Sequence, residues 1–141
     1  FQGNTEQLDR IIRVHPEIVS HNIETVRRLT KEVRVQAKYD RSLEVLRYLK
    51  EKGMKTKSGI MCGMGESEDE VLDTLHDLKN SGVDIVTLGQ YMQPTPRHLK
   101  VVNYVHPDVF AMYKREGLKL GFGYIESGPL VRSSYHAEKH L

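Results

Sequence analysis

The sequence has a single cysteine, Cys62, and no tryptophan. One cysteine cannot close an internal disulfide, which excludes a small secreted scaffold stapled by such bonds. It also excludes a cysteine-rich zinc or iron–sulfur site built from these residues alone. The missing tryptophan excludes nothing. No apolar run reaches the ~18 residues that a membrane span requires. Neither sign of charge dominates: 21 Lys and Arg face 19 Asp and Glu, a net charge of +2. That balance points to no nucleic acid and no membrane as partner. Charge blocks and low-complexity tracts are also lacking, so nothing suggests disorder. There is no initiator methionine, and Phe1-Gln2-Gly3-Asn4 is neither a signal nor a transit peptide. The chain reads as cut from something longer.

What is present is a regular alternation of short apolar runs and amphipathic stretches over 141 residues. That length suits one domain and is too short for a complete α/β barrel of ~250 residues. A short helix is expected over residues 5–13, a strand over 17–22 and a helix over 25–32. The strongest helix spans 39–52, where Leu43, Leu46 and Leu49 share a face and Gly53 follows the end. Residues 56–64 form a near-continuous small and apolar run, the pattern of a strand buried on both faces. Ser67 and Glu70 compose a capping box for a helix ending near Ser81. A strand over 83–89, a loop marked by Pro94 and Pro96, a helix over 107–119 and a strand over 124–126 complete the pattern. The class is α/β with parallel strands and outer helices. Residues 1–126 carry this alternation, as one domain or part of one with too few strands to close a barrel, and residues 127–141 read as an irregular tail.

In parallel α/β folds the functional groups gather at the carboxyl ends of strands. Four such ends carry unusual groups. The first holds His21, Asn22 and Glu24. A carboxylate there could accept both hydroxyl protons of a ribose; Asn22 and Glu24 could equally cap the helix that follows. The second holds Gly63, Gly65 and Glu66, a turn that lets backbone approach a ligand or simply reverses the chain. Glu66 could join the site or only complement the helix dipole. Lys57 and Ser58 lie earlier on that strand, and either could face the lumen or pack. The third holds Gln90 and Tyr91, an amide, a phenol and a stacking face. The fourth leads into Arg132-Ser133-Ser134-Tyr135-His136. Cys62 reads as a small buried hydrophobe. Seven histidines include no His-Glu-x-x-His pair, and no Gly-x-Ser-x-Gly elbow is present.

Taken together, Phe1-Gln2-Gly3, His21-Asn22-Ile23-Glu24-Thr25, Lys57-Ser58-Gly59-Ile60-Met61, Gly63-Met64-Gly65-Glu66, Thr87-Leu88-Gly89-Gln90-Tyr91 and Ser127-Gly128-Pro129-Leu130-Val131-Arg132-Ser133-Ser134-Tyr135 resemble the lipoyl synthase family of the radical S-adenosylmethionine (SAM) superfamily. The resemblance runs through essentially the whole chain and is most specific in its last motif. It implies the C-terminal portion of a partial (βα)6-type radical SAM barrel. It implies insertion of two sulfur atoms at C6 and C8 of an octanoyl chain on a carrier-domain lysine. Two [4Fe–4S] clusters are implied: one cleaves S-adenosyl-L-methionine to a 5′-deoxyadenosyl radical, and the auxiliary one supplies sulfur.

The same resemblance assigns Asn22, Glu24, Lys57, Ser58, Gly63, Gly65, Glu66, Gln90, Tyr91 and Arg132 to cofactor binding. It assigns Ser133, or less favourably Ser134, as the non-cysteine ligand of the auxiliary cluster. Implied partners are an octanoylated lipoyl-carrier domain (a 2-oxoacid dehydrogenase subunit or the glycine cleavage H protein) and an electron donor such as flavodoxin or ferredoxin. The implied location is cytoplasmic in bacteria and mitochondrial in eukaryotes. The family's two cysteine triplets are absent here, so the chain by itself is expected to hold neither cluster stably and to be inactive. An α/β binding module for an acyl-carrier domain, and an aldolase-type barrel using Lys57 as a Schiff base, are the alternatives. The second lacks any acid–base pair around Lys57 in the sequence.

Overall fold

The computed structural model describes residues 18–30 and 39–132. The helix expected over 5–13, Ser133 and Ser134 lie outside the described residues. Those described fold as β1 (Ile18–Ser20), a single 3-10 turn (Arg27–Leu29), α1 (Tyr39–Glu51), β2 (Lys55–Cys62), α2 (Glu68–Asn80), β3 (Ile85–Gln90), α3 (Pro107–Leu120) and β4 (Tyr124–Gly128). The four strands are all parallel and stand in sequence order. Parallel neighbours joined in order by right-handed crossovers place their helices on one face of the sheet. The other face is left to a lumen, as in a barrel wall.

Each helix has a local cause. α2 begins at Ser67, whose hydroxyl accepts from Glu70 N while the Glu70 carboxylate accepts from Ser67 N. Such a reciprocal cap satisfies two otherwise orphaned donors. α3 starts with Pro107 behind His106, whose Nδ1 accepts from Asp108 N at 3.0 Å. It stops at Gly121, which adopts φ 97°, a conformation that costs glycine little. Val71, Leu75 and Leu78 of α2, with Phe110 and Tyr113 of α3, are buried against Ile60, Leu88 and Ile125 of the sheet. α1 closes the β1 side, where Val45 and Leu49 meet Val19 and Met54.

Two expectations shift. The helix over 25–32 does not begin at Thr25: Glu24 is left-handed and Val26 is extended and caps without a side-chain bond, so a 3-10 turn opens at Arg27 and α-helical backbone is reached at Thr30, while residues 31 and 32 lie outside the described residues. Asn22 and Glu24 are therefore not its caps. Ser127 is not the start of an irregular tail, because β4 pairs with β3 through Gly128. The Ser127 hydroxyl donates to Phe110 O at 2.7 Å, tying the strand to α3.

Candidate functional site

The two faces of the sheet are sorted by strand alternation. Ser58, Ile60 and Cys62 of β2 are in register with Val86, Leu88 and Gln90 of β3, and Ile60, Cys62, Val86 and Leu88 belong to the helix-side core. Lys57, Gly59 and Met61 point the other way, in register with Ile85, Thr87 and Gly89, and Thr87 pairs with Glu126 of β4. The lumen face is thus small or polar at most positions, where the outer face carries the apolar row Ile60, Cys62, Val86 and Leu88.

At the carboxyl ends of the strands this face opens into a cavity of about 280 Å³. Asn22, Glu24, Gly59, Met61, Thr87, Gly89 and Arg132 line it, with Met92 and Val131 at its edge. Glu24 is the only non-glycine residue with positive φ among those described, at 76°. Its N–H donates to Gly59 O at 2.9 Å and its carbonyl accepts from Met61 N at 2.7 Å. The backbone is therefore pinned in a conformation that costs a carboxylate residue free energy, a feature that clusters at binding sites. The pin fixes the point on the cavity wall from which the Glu24 side chain extends.

Arg132 reaches the cavity because the chain after β4 folds back across the end of β3. Val131 N donates to Gly128 O at 3.2 Å. A β-carbon on Gly89 would collide with the Val131 carbonyl, so only glycine lets the two backbones cross there. Arg132 Nη1 donates to Val131 O at 2.8 Å.

The remaining expected residues are placed differently. Lys57 is 2% exposed on the lumen side. Burial pulls its ammonium below the usual pKa, and the charge of Glu126 opposes that shift. Sequence reading found no acid for Lys57; the sheet supplies Glu126 from a distant strand. Ser58 lies on the helix side, and its hydroxyl accepts from Ile23 N at 3.0 Å. The Glu66 carboxylate accepts from Gly63 N and Met64 N, both at 2.9 Å, closing its own turn. A β-carbon on Gly63, at φ 100°, would strike the Gln90 amide and Asn103 O. Gln90 Nε2 donates to Tyr91 O and Asn103 O, and its Oε1 accepts from Val105 N. The Tyr91 hydroxyl donates to Leu99 O at 2.6 Å. The polar ends of Gln90 and Tyr91 thus hold the following loop, although Gln90 also borders the cavity. His21 Nε2 lies 3.3 Å from Ser42 Oγ of α1, on the helix side.

One rim contact joins the first two strand ends. Arg28 donates to both Glu70 oxygens at 2.9 Å and to Gly65 O at 2.8 Å. The guanidinium and the Ser67 N–H hold the Glu70 carboxyl down at about 2.

A family model described as the radical SAM superfamily matches residues 2–89, more than half of the chain. The chain belongs to the radical SAM superfamily. The four parallel strands with outer helices are accordingly part of a radical SAM barrel. A mitochondrial lipoyl synthase of Nematostella vectensis is 65% identical over the whole of this chain and 49% of its own length. A lipoyl synthase of Flavobacterium johnsoniae is 63% identical over the same shares. The chain spans about half the length of the curated relatives it matches. The crystal structure of Streptococcus suis SuiB aligns with 88% of this chain and 29% of that one, at TM-score 0.63 and 14% identity. That likeness concerns the fold alone.

Radical SAM membership implies S-adenosylmethionine and iron–sulfur chemistry in the whole protein. The cavity fits the nucleoside end of the first: a carboxylate residue on a pinned backbone, small lumen residues and an arginine line it. The described residues do not fit a cluster. They hold no group of three or more His, Cys, Asp or Glu able to bind a metal. Cys62 faces the helices, fully buried, and burial pushes its thiol pKa up. No helix among the described residues is long and apolar enough to cross a membrane.

Gly59, Met61, Thr87 and Gly89 stand within the quoted motifs but are not singled out there as site residues. Their only signal is the glycine or threonine that interrupts each apolar run, Gly59 in β2 and Thr87 and Gly89 in β3.

Proposed function

We propose that this chain forms the C-terminal half of a lipoyl synthase and supplies the nucleoside-binding side of its active site. The reaction replaces one hydrogen at C6 and one at C8 of a protein-bound octanoyl-lysine by sulfur. The observation that carries the reading is Glu24, pinned at φ 76° against β2 and lining the same cavity as Arg132. The strong likeness to lipoyl synthases across the whole chain supports it.

In this reading the Glu24 carboxylate accepts the ribose hydroxyl protons and Asn22 adds an amide beside it. Gly59 and Gly89 leave room for the nucleoside to lie against the backbone. Glu66, Gln90 and Tyr91 act at one remove, keeping the Gly63–Gly65 turn and the loop after β3 in place. Lys57 and Glu126 set the charge of the lumen below the cavity. Bound S-adenosylmethionine supplies the hydrogen-abstracting chemistry. The ligands of the two proposed [4Fe–4S] clusters come chiefly from the remainder of the longer protein, with Ser133, and less favourably Ser134, as the non-cysteine ligand of one. The substrate is an octanoylated lipoyl-carrier domain, and a flavodoxin- or ferredoxin-type protein supplies electrons.

The test is a reaction of the full-length protein, anaerobically reconstituted, with S-adenosylmethionine, a reductant and an octanoyl-lysine peptide. Mass spectrometry should show the peptide gaining two sulfur atoms. Formation of 5′-deoxyadenosine without any sulfur-containing peptide would overturn the assignment. The 141-residue chain alone should show no iron–sulfur absorbance after the same treatment.

A further inference from the structure

Residues 92–105 join β3 to α3 with neither helix nor strand, yet the segment is tied down along its length. Tyr91 Oη donates to Leu99 O at 2.6 Å and Gln90 Nε2 to Asn103 O at 3.0 Å. Val105 N donates to Gln90 Oε1 at 2.9 Å, and Val102 N to Gly63 O at 2.8 Å. Within the loop, Gln93 Nε2 donates to His98 O at 3.0 Å. This frame is built inward, from two strand-end side chains and a turn carbonyl.

Its outer side is unlike an ordinary connection. Val102 is 64% exposed and Tyr104 70%, with Leu99 also exposed. The charges among them are of one sign: Arg97 and Lys100, with His98 beside them. No Asp or Glu occurs between residues 91 and 107. Large apolar groups held out on a preorganised frame lose free energy in water and little entropy on binding. An apolar centre containing tyrosine with an arginine-bearing rim has the composition of a protein interface. The surface also starts beside the cavity, since Met92 lines it and is half exposed.

We propose that residues 97–104 are a docking surface for an acidic protein domain, namely the domain that presents the acylated lysine to the cavity. This rests on the function proposed above for its choice of partner. The basic side chains face an acidic surface around the lysine, Val102 and Tyr104 bury against its apolar part, and the acyl arm passes Met92 into the lumen. The carrier body is then recognised outside the cavity, and only the arm enters.

The experiment uses full-length protein with two probes: octanoylated glycine cleavage H protein and a short octanoyl-lysine peptide. One variant reverses charge, Arg97→Glu with Lys100→Glu; a second, Tyr104→Ser, removes apolar area. Direct titration should show the H protein bound at least ~tenfold more weakly by the charge-reversed variant, because opposed charges become like. The peptide KM should move less than ~twofold, because a peptide lacks the docked body. Raising salt should weaken H-protein binding by the parent and leave the peptide unaffected. Unchanged H-protein affinity in both variants would overturn the proposal. So would parallel loss for protein and peptide, or a lower melting temperature or a changed oligomeric state, which would mean that another part of the protein or a second copy covers this face. A parent that binds the H protein but forms no sulfur product would overturn the proposed reaction and support the docking surface.

Discussion

The two faces of one sheet carry different kinds of residue and do different work. On the helix side Ile60, Leu88 and Ile125 are 2%, 0% and 3% exposed and pack against α2 and α3. On the lumen side the same strands carry Lys57, Gly59, Thr87, Gly89 and Glu126, small or polar side chains that would weaken any core. Stability comes from the first face and binding capacity from the second. The strands are shared, so a substitution next in sequence to a site residue can leave the site intact, provided that it points outward.

The largest expected effect separates the faces. Leu88→Ala removes a fully buried outer side chain and should cost about 2–5 kcal/mol in chemical denaturation. Ligand affinity of the folded fraction should stay within ~twofold, because residues on the lumen side are untouched. A selective loss of affinity would break the division.

Gly89→Ala sharpens it from the other side. The added methyl strikes the Val131 carbonyl, so the segment that carries Arg132 must move. Overpacking of this kind costs about 1–3 kcal/mol. Here the loss of S-adenosylhomocysteine affinity should exceed what the stability change predicts, as measured by calorimetry.

The smallest effect is at the rim. The Glu70 carboxyl is held at about 2 by Arg28 and Ser67, below its unfolded value of ~4.3. A depressed carboxyl stabilises the fold fully above the unfolded pKa and loses that contribution as pH falls toward about 2. Glu70→Gln should therefore flatten the acid limb of the stability curve between roughly pH 4.3 and 2 and leave neutral binding near that of the parent. An unaltered acid limb would show that the Arg28 contact does not join the strand ends in solution.

The outer face was legible because its information is local. Leu43, Leu46 and Leu49 recur at helical spacing, Ser67 and Glu70 state their cap three residues apart, and Gly121 marks a stop. Glu24 and Asn22 were legible as candidates by position at a strand end, but not the backbone pin that makes Glu24 distinctive, which depends on β2. The lumen row was hidden for the same reason. Lys57 gains Glu126 and Gly89 gains Val131 only when strands far apart in sequence become neighbours. For Gln90 and Tyr91 an amide and a phenol at a strand end can serve a cofactor or a loop, and Gln90 borders the cavity as well as the loop. Their side-chain hydrogen bonds go to Tyr91 O and to residues 99–105.

The most direct measurement is the affinity of full-length protein for S-adenosylhomocysteine with Glu24→Gln set against Leu88→Ala. Glu24→Gln keeps the size and the pinned backbone but removes the charge that accepts the ribose protons. The account predicts at least ~tenfold weaker binding at an unchanged melting temperature, since charge-assisted bonds are about twice as strong as neutral ones, and the reverse pattern for Leu88→Ala. Unchanged affinity in Glu24→Gln, with the loss appearing in Leu88→Ala instead, would contradict it.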